Sequence, residues 1–417
     1  MALLDREHLR SGRIARIAGE LYLDMHLLQP ALALLRQVLE TGSDDPHATA
    51  AFEECRYLAD RSAIWQSANR TITESLARLN ACARGRGSSV SGPIHIVCKL
   101  DTIGGTERRA LNLYRSLSPH ADVTLWSTQP AMPCHRNEFP VRHIAAGDAP
   151  AGGTLVLVGT YFACEAWLEA SPFERVVICH NLAEQYANLA SRLRQIEANP
   201  SRPRVELTFP SGLFQQTVGL PGRVEYSPVD MDAFRPERSR RVATGRLVIG
   251  RHGRAYPLKF HPNDPSFFRA VMARGHRVRV LGGTAIAPAF AHDRAPLPDL
   301  LAVGAESARD FLGSLDVFLY RKHPELFETC GTVITEAMAM ELPVIVFAEQ
   351  CGASELIEHG DNGFLVHSET EAMHLIDRLA EEPALRERVG RSARATIVEL
   401  MRRQESAVIE YYLDGRD

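Results

Sequence analysis

Two glutamates, Glu328 and Glu336, bracket the segment Thr329 to Thr335 within PELFETCGTVITEAMAMELPVIVF. This spacing puts one carboxylate on a loop and the other one turn into a helix. Between them lie the backbone N–H groups of Gly331, Thr332 and Val333, at the helix start. A helix N-terminus carries partial positive charge and unpaired donors, which favours phosphate. A carboxylate just inside it can accept hydrogen bonds from sugar hydroxyls. No Lys or Arg stands three or four residues from Glu336, so a local helix ion pair does not explain it. Each charge–dipole contact is worth roughly 0.3 to 2 kcal/mol, too little for a diphosphate, so cations must help. Arg254 and Lys259 in RHGRAYPLKF supply them, after the strand pattern Leu247–Gly250, with Arg251 in reserve. Arg grips phosphate oxygens in a planar fork and Lys adds a compact charge. The combination reads as a nucleotide-sugar pocket.

Rigid elements must hold such a pocket. The chain of 417 residues is too long for one ordinary core. Residues 1–90 hold 2 of the 24 prolines and repeat apolar residues at helical spacing: Ile14, Ile17, Leu21, then Leu32, Leu35, Leu39, then Phe52, Cys55, Leu58. This predicts a helical extension. Gly19, Tyr22, Ala31 and Leu35 loosely resemble one tetratricopeptide unit, which suggests a protein partner or a homo-oligomer contact. Composition makes 84–89 a linker. Strand patterns then alternate with helices at 94–98, 122–126, 154–158, 175–179, 204–208 and 223–227. A second series follows at 246–250, 278–282, 315–320, 343–347 and 363–366. Two such runs mean two doubly wound parallel sheets, with ligands beyond the carboxyl ends of strands and between the sheets. The expected divisions are 1–90, 93–230, 240–395 and a C-terminal helix at 396–417 that crosses back to the first domain.

Composition narrows the function classes. Hydrophobic residues make up 45% and charged residues 24%, as in soluble globular proteins. A net charge of −4 gives no nucleic-acid footprint. No apolar run approaches a membrane span and the N-terminus has no signal core, so a cytoplasmic protein is expected, with peripheral membrane association left open by basic pairs at 192–194 and 202–204. The eight cysteines form no CxxC and are expected to be reduced and mostly buried. Asp230 and Asp232 in DMD fall in the interdomain segment, and no metal site is expected.

The glutamate segment resembles the signature of the retaining glycosyltransferases of family 4, which have the GT-B fold. Collinear with it, GGTE at 104–107 followed by RRALNLY is similar to that family's first loop and helix. VVICH at 176–180 is similar to its strand ending in His, DMDAFRP at 230–236 to its interdomain segment, and DNGFLV at 361–366 to its last strand. The resemblance implies an α/β GT-B fold of two Rossmann-like domains with an added all-helical N-terminal extension. It implies transfer of a sugar, with retention, from a nucleotide diphosphate sugar to a glycan, lipid-linked or protein acceptor, without a metal or other cofactor. Glu336 would hold the ribose hydroxyls and Glu328 the donor sugar. Arg254 and Lys259 would neutralise the diphosphate, with Gly331, Thr332 and Val333 offering backbone donors. Gly104 and Gly105 would close the donor site from the first domain, and His180 would stabilise the reacting centre. A nucleotide-sugar epimerase of the same fold cleaves the same bond without an acceptor. A scaffold that recruits a protein through its helices, with a silent sugar site, is the third reading.

Overall fold

The computed structural model describes residues 28–40, 48–49, 52, 69–83 and 92–414, except 146, 163–165, 183–185, 237–244, 295 and 348–350. The chain divides into two compact units: residues 1–72 with 217–220, and residues 73–216 with 221–417. In the first unit the helix Leu28–Glu40 buries Leu35 and Val38, and Val38 packs with Leu39 and Ala48. The expected helix through Ile14, Ile17 and Leu21, the Gly19 and Tyr22 half of the tetratricopeptide-like pattern, and the 84–89 linker lie outside the described residues. A further helix runs over 69–83. Within the second unit its Asn80 clamps a strand, accepting from Val205 N and donating to Val205 O, both at 2.9 Å.

That second unit contains two all-parallel sheets. The first has the order β3-β2-β1-β4-β5-β6-β7. Its strands are β1 (Ile94–Cys98), β2 (Val123–Ser127), β3 (Val141–His143), β4 (Thr154–Val158), β5 (Arg175–Cys179), β6 (Arg204–Phe209) and β7 (Arg223–Val224). The second sheet has the order β10-β9-β8-β11-β12-β13. It comprises β8 (Val248–His252), β9 (Arg277–Leu281), β10 (Asp299–Leu301), β11 (Val317–Tyr320), β12 (Val344–Phe347) and β13 (Phe364–Val366). β1, β4 and β5 are buried along their whole length, as expected of strands covered by helices on both faces. Both sheets reverse strand order at a switch point, between β1 and β4 and between β8 and β11, where α/β folds place ligands.

The long C-terminal helix Pro383–Asp414 touches both sheet domains. Ala393 and Ile397 belong to the second domain's core, which also takes Val229 and Phe234 from the interdomain segment. Val408, Tyr411 and Tyr412 lie in the core of the first. Arg175, fully buried, donates to Tyr411 O at 2.7 Å and stacks over the Tyr411 ring at 4.4 Å. The end of this helix is therefore built into the first domain.

The described cysteines are free thiols. Cys98, Cys179 and Cys351 are buried while Cys82 and Cys134 are exposed, so burial is less general than the composition suggests. Among the described residues no helix is long and apolar enough to cross a membrane.

Candidate active site between the two sheets

Gly331 starts the site. Its φ of 75° is left-handed, and a Cβ there would lie 2.9 Å from Cys351 Sγ and 3.2 Å from Ala353. Only glycine meets both conditions without strain. The helix Thr332–Ala339 then begins with no side chain capping it, which leaves its first amides as donors for a ligand. Across the cleft stands Gly105, where an added Cβ would be 3.6 Å from Thr332 Oγ1. One added at Gly104 would be 3.9 Å from Arg254 Cδ and only 2.6 Å from Glu107 Oε2. The Gly-Gly turn thus brings first-domain backbone close to the helix start and to Arg254.

Glu328 stands on the loop before this helix, 13% exposed. Lys259 Nζ and the Tyr320 hydroxyl both donate to its Oε2. Burial alone would raise the carboxyl's pKa, but Lys259, Tyr320 and the charge of Arg254 outweigh it and hold the group below the usual range. Glu328 is therefore an anion with one oxygen occupied. Lys259 is committed to that carboxylate rather than standing free for phosphate. Arg254 is exposed and, among the described residues, its side chain has no hydrogen-bond or ion-pair partner. Arg251 is used internally: its guanidinium donates to Arg321 O and, at 2.7 Å, to Lys259 O, beneath the rings of Phe260 and Tyr320.

Glu336 is 2% exposed, and its partners come from far away in the chain. Oε1 pairs with Arg108 of the helix Gly105–Leu117. Oε2 faces His252 Nε2, at the end of β8, at 3.2 Å. Burial and the charges of Arg108 and Arg251 push the His252 pKa down to about 3, so the ring is neutral at pH 7.

Below these groups the two domains close on each other. Ser211 Oγ donates to Thr329 O at 2.6 Å, and Thr329 Oγ1 donates to Asn181 O at 2.6 Å. The Gly212 and Leu213 amides donate to Glu355 at 2.9 and 2.8 Å. Phe214 meets Phe327 with ring centroids 5.6 Å apart. His180 follows β5, but its ring is fully buried, stacked on Phe214 at 5.4 Å, and burial lowers its pKa to about 4. The structure thus gathers Gly104, Gly105, Arg254, Lys259, Glu328, Gly331, Thr332, Val333 and Glu336 around one cleft, while the His180 ring is buried against Phe214. Asp230 is engaged by Arg115 at 2.8 Å and by the Ala233 amide. Among the described residues no group of three or more His, Cys, Asp or Glu is placed to hold a metal.

Sequence reasoning missed Arg108, Tyr320 and His252. Arg108 sits inside the quoted GGTERR run, and no pattern pairs it with a carboxylate 228 residues away.

Residues 301–396 match the family model described as glycosyl transferases group 1. No curated protein matches the chain. Among solved structures, the chain is similar to HepE from Anabaena in complex with UDP-glucose, at 15% identity and a TM-score of 0.54, covering 78% of this chain and 98% of that one. A glycosyltransferase from Rickettsia africae gives 14% identity and a TM-score of 0.56, with 78% and 99% covered. The sucrose-phosphate synthase from Thermosynechococcus elongatus gives 16% and 0.53, with 76% and 96% covered. At these identities the likeness is one of fold: two Rossmann-like domains in the GT-B arrangement, of which the second carries the match to the glycosyl transferases group 1 family.

Proposed function

We propose that this protein is a retaining glycosyltransferase that moves a sugar from a nucleoside diphosphate sugar to an acceptor hydroxyl. One observation carries the reading: an exposed Arg254, an uncapped helix N-terminus and the two glutamates converge on a cleft faced by a Gly-Gly turn. Glu336 accepts from the ribose hydroxyls, and the free oxygen of Glu328 from the donor sugar. The diphosphate lies between Arg254 and the amides at Gly331, Thr332 and Val333, with Lys259 behind, its charge shared with Glu328.

In the reaction the bond from the anomeric carbon to the diphosphate oxygen breaks. The acceptor oxygen bonds to that carbon from the same side, and the hydroxyl proton passes to the departing diphosphate. Positive charge develops on the sugar ring beside Glu328 and negative charge on the leaving group beside Arg254. Charges of the protein at both ends lower the barrier. The protein's own cations serve the leaving group in this step. His180, neutral and buried against Phe214, reaches the sugar only if the domains part.

A screen of UDP-, GDP- and ADP-sugars, beginning with the UDP-glucose bound by HepE, tests the reading. At least one donor should be turned over, with release of the nucleoside diphosphate and a product of unchanged anomeric configuration by proton NMR. Inversion would refute retention. An epimerised free nucleotide sugar would refute the transferase.

A further inference from the structure

We infer that Arg108 is a gate on the ribose carboxylate: in the free protein it occupies the cleft-side oxygen of Glu336, and a nucleotide must displace it. This rests on the ribose reading of Glu336 above. Three observations support it. Oε2 of Glu336 is buried and faces His252 at 3.2 Å, and the His252 ring makes edge contacts with Phe311 and Phe318. That leaves Oε1 as the oxygen on the side of the opposite domain, and it is the one paired with Arg108. Arg108 is 34% exposed against 2% for Glu336, and its guanidinium lies 6.0 Å from the Phe234 ring in the interdomain segment. The carboxylate is therefore fixed, while the arginine can swing towards solvent.

Arg108 and a ribose diol compete for one acceptor. The apparent affinity is the intrinsic affinity scaled by the fraction of molecules in which the arginine has let go. Removing Arg108 leaves a buried carboxylate without its counter-charge in the free protein. The nucleotide complex, in which hydroxyl donors replace the guanidinium, is spared that cost. Truncation should therefore destabilise the free protein and tighten nucleotide binding. A residue that grips the donor would behave in the opposite way on affinity. The ion pair also joins the two domains, so donor entry and domain separation are linked through it.

The test titrates UDP, GDP and ADP calorimetrically into the full chain as wild type, Arg108→Ala, Arg108→Gln and Glu336→Gln, with thermal melts of each protein alone and with nucleotide. For the nucleotide that binds, both Arg108 variants should show a Kd roughly three- to tenfold lower than wild type. Their melting temperature without nucleotide should be lower, and the nucleotide-induced rise larger. Unchanged or weaker binding in both Arg108 variants, with binding lost in Glu336→Gln, overturns the gate and leaves the ribose reading standing. Wild-type affinity in Glu336→Gln, or no binding by any of the four proteins, overturns the ribose reading and the gate with it.

Discussion

Lys259 and Arg254 reach the same cleft with different duties, and their substitutions separate those duties. Lys259 neutralises a mostly buried Glu328, so Lys259→Ala strands a carboxylate and should cost about 2 kcal/mol of stability in addition to activity. Arg254 is exposed and has no side-chain partner among the described residues. Arg254→Ala should leave stability within about 0.5 kcal/mol while lowering kcat/KM with the donor by about 10- to 100-fold, the loss of a charge-assisted contact to the leaving group. Thermal melts and steady-state kinetics on both variants check this. An Arg254→Ala enzyme with unchanged kcat/KM would remove the residue from the diphosphate site. At this scale the residues with family-like spacing were legible in the chain: the two glutamates, the Gly-Gly turn and the basic residues after β8. Tyr320, His252 and Arg108 were not, because each acts through a partner that only folding brings near.

Among the elements, two strand ends carry buried histidines. His180 after β5 and His252 at the end of β8 are held neutral by burial, with pKa values of about 4 and about 3 against 6.5 when exposed. Below pH 6.5 the unfolded chain binds protons that the folded one refuses. Their stabilisation is therefore complete above pH 6.5 and is lost as the pH falls towards those lower values, by up to about 1.4 kcal/mol per pH unit per histidine. Asp264 works in the opposite sense: burial raises its carboxyl to about 6 despite Arg251 and Arg321, so its share of stability declines as pH rises from 3.8 towards 6. Comparing wild type with His180→Phe, which preserves the aromatic packing, isolates one histidine. Melts from about pH 7.5 to about pH 4.5 should show a shallower loss in the variant, and parallel curves would mean that His180 titrates normally in the fold. Central strands were legible as short apolar runs, and β1, β4 and β5 match the expected bounds. The strands β3 and β10 were not, because they are three-residue edges carrying Arg142, His143 and Asp299, with no buried face to leave a pattern.

For the whole molecule, two sheets joined by an interdomain segment and a long C-terminal helix present their carboxyl ends to one cleft. Strand–helix alternation made the pair of sheets readable. How closely they approach was not readable, since it depends on Ser211, Thr329, Asn181, Glu355 and the Phe214–Phe327 contact, each polar or aromatic without periodicity. The most direct measurement is a crystal structure of the full chain with the nucleoside diphosphate that binds it. The account predicts ribose hydroxyls on Glu336, phosphates between Arg254 and the Gly331–Val333 amides, and Arg108 swung away. A nucleotide bound elsewhere, with the Arg108–Glu336 pair intact, would contradict it.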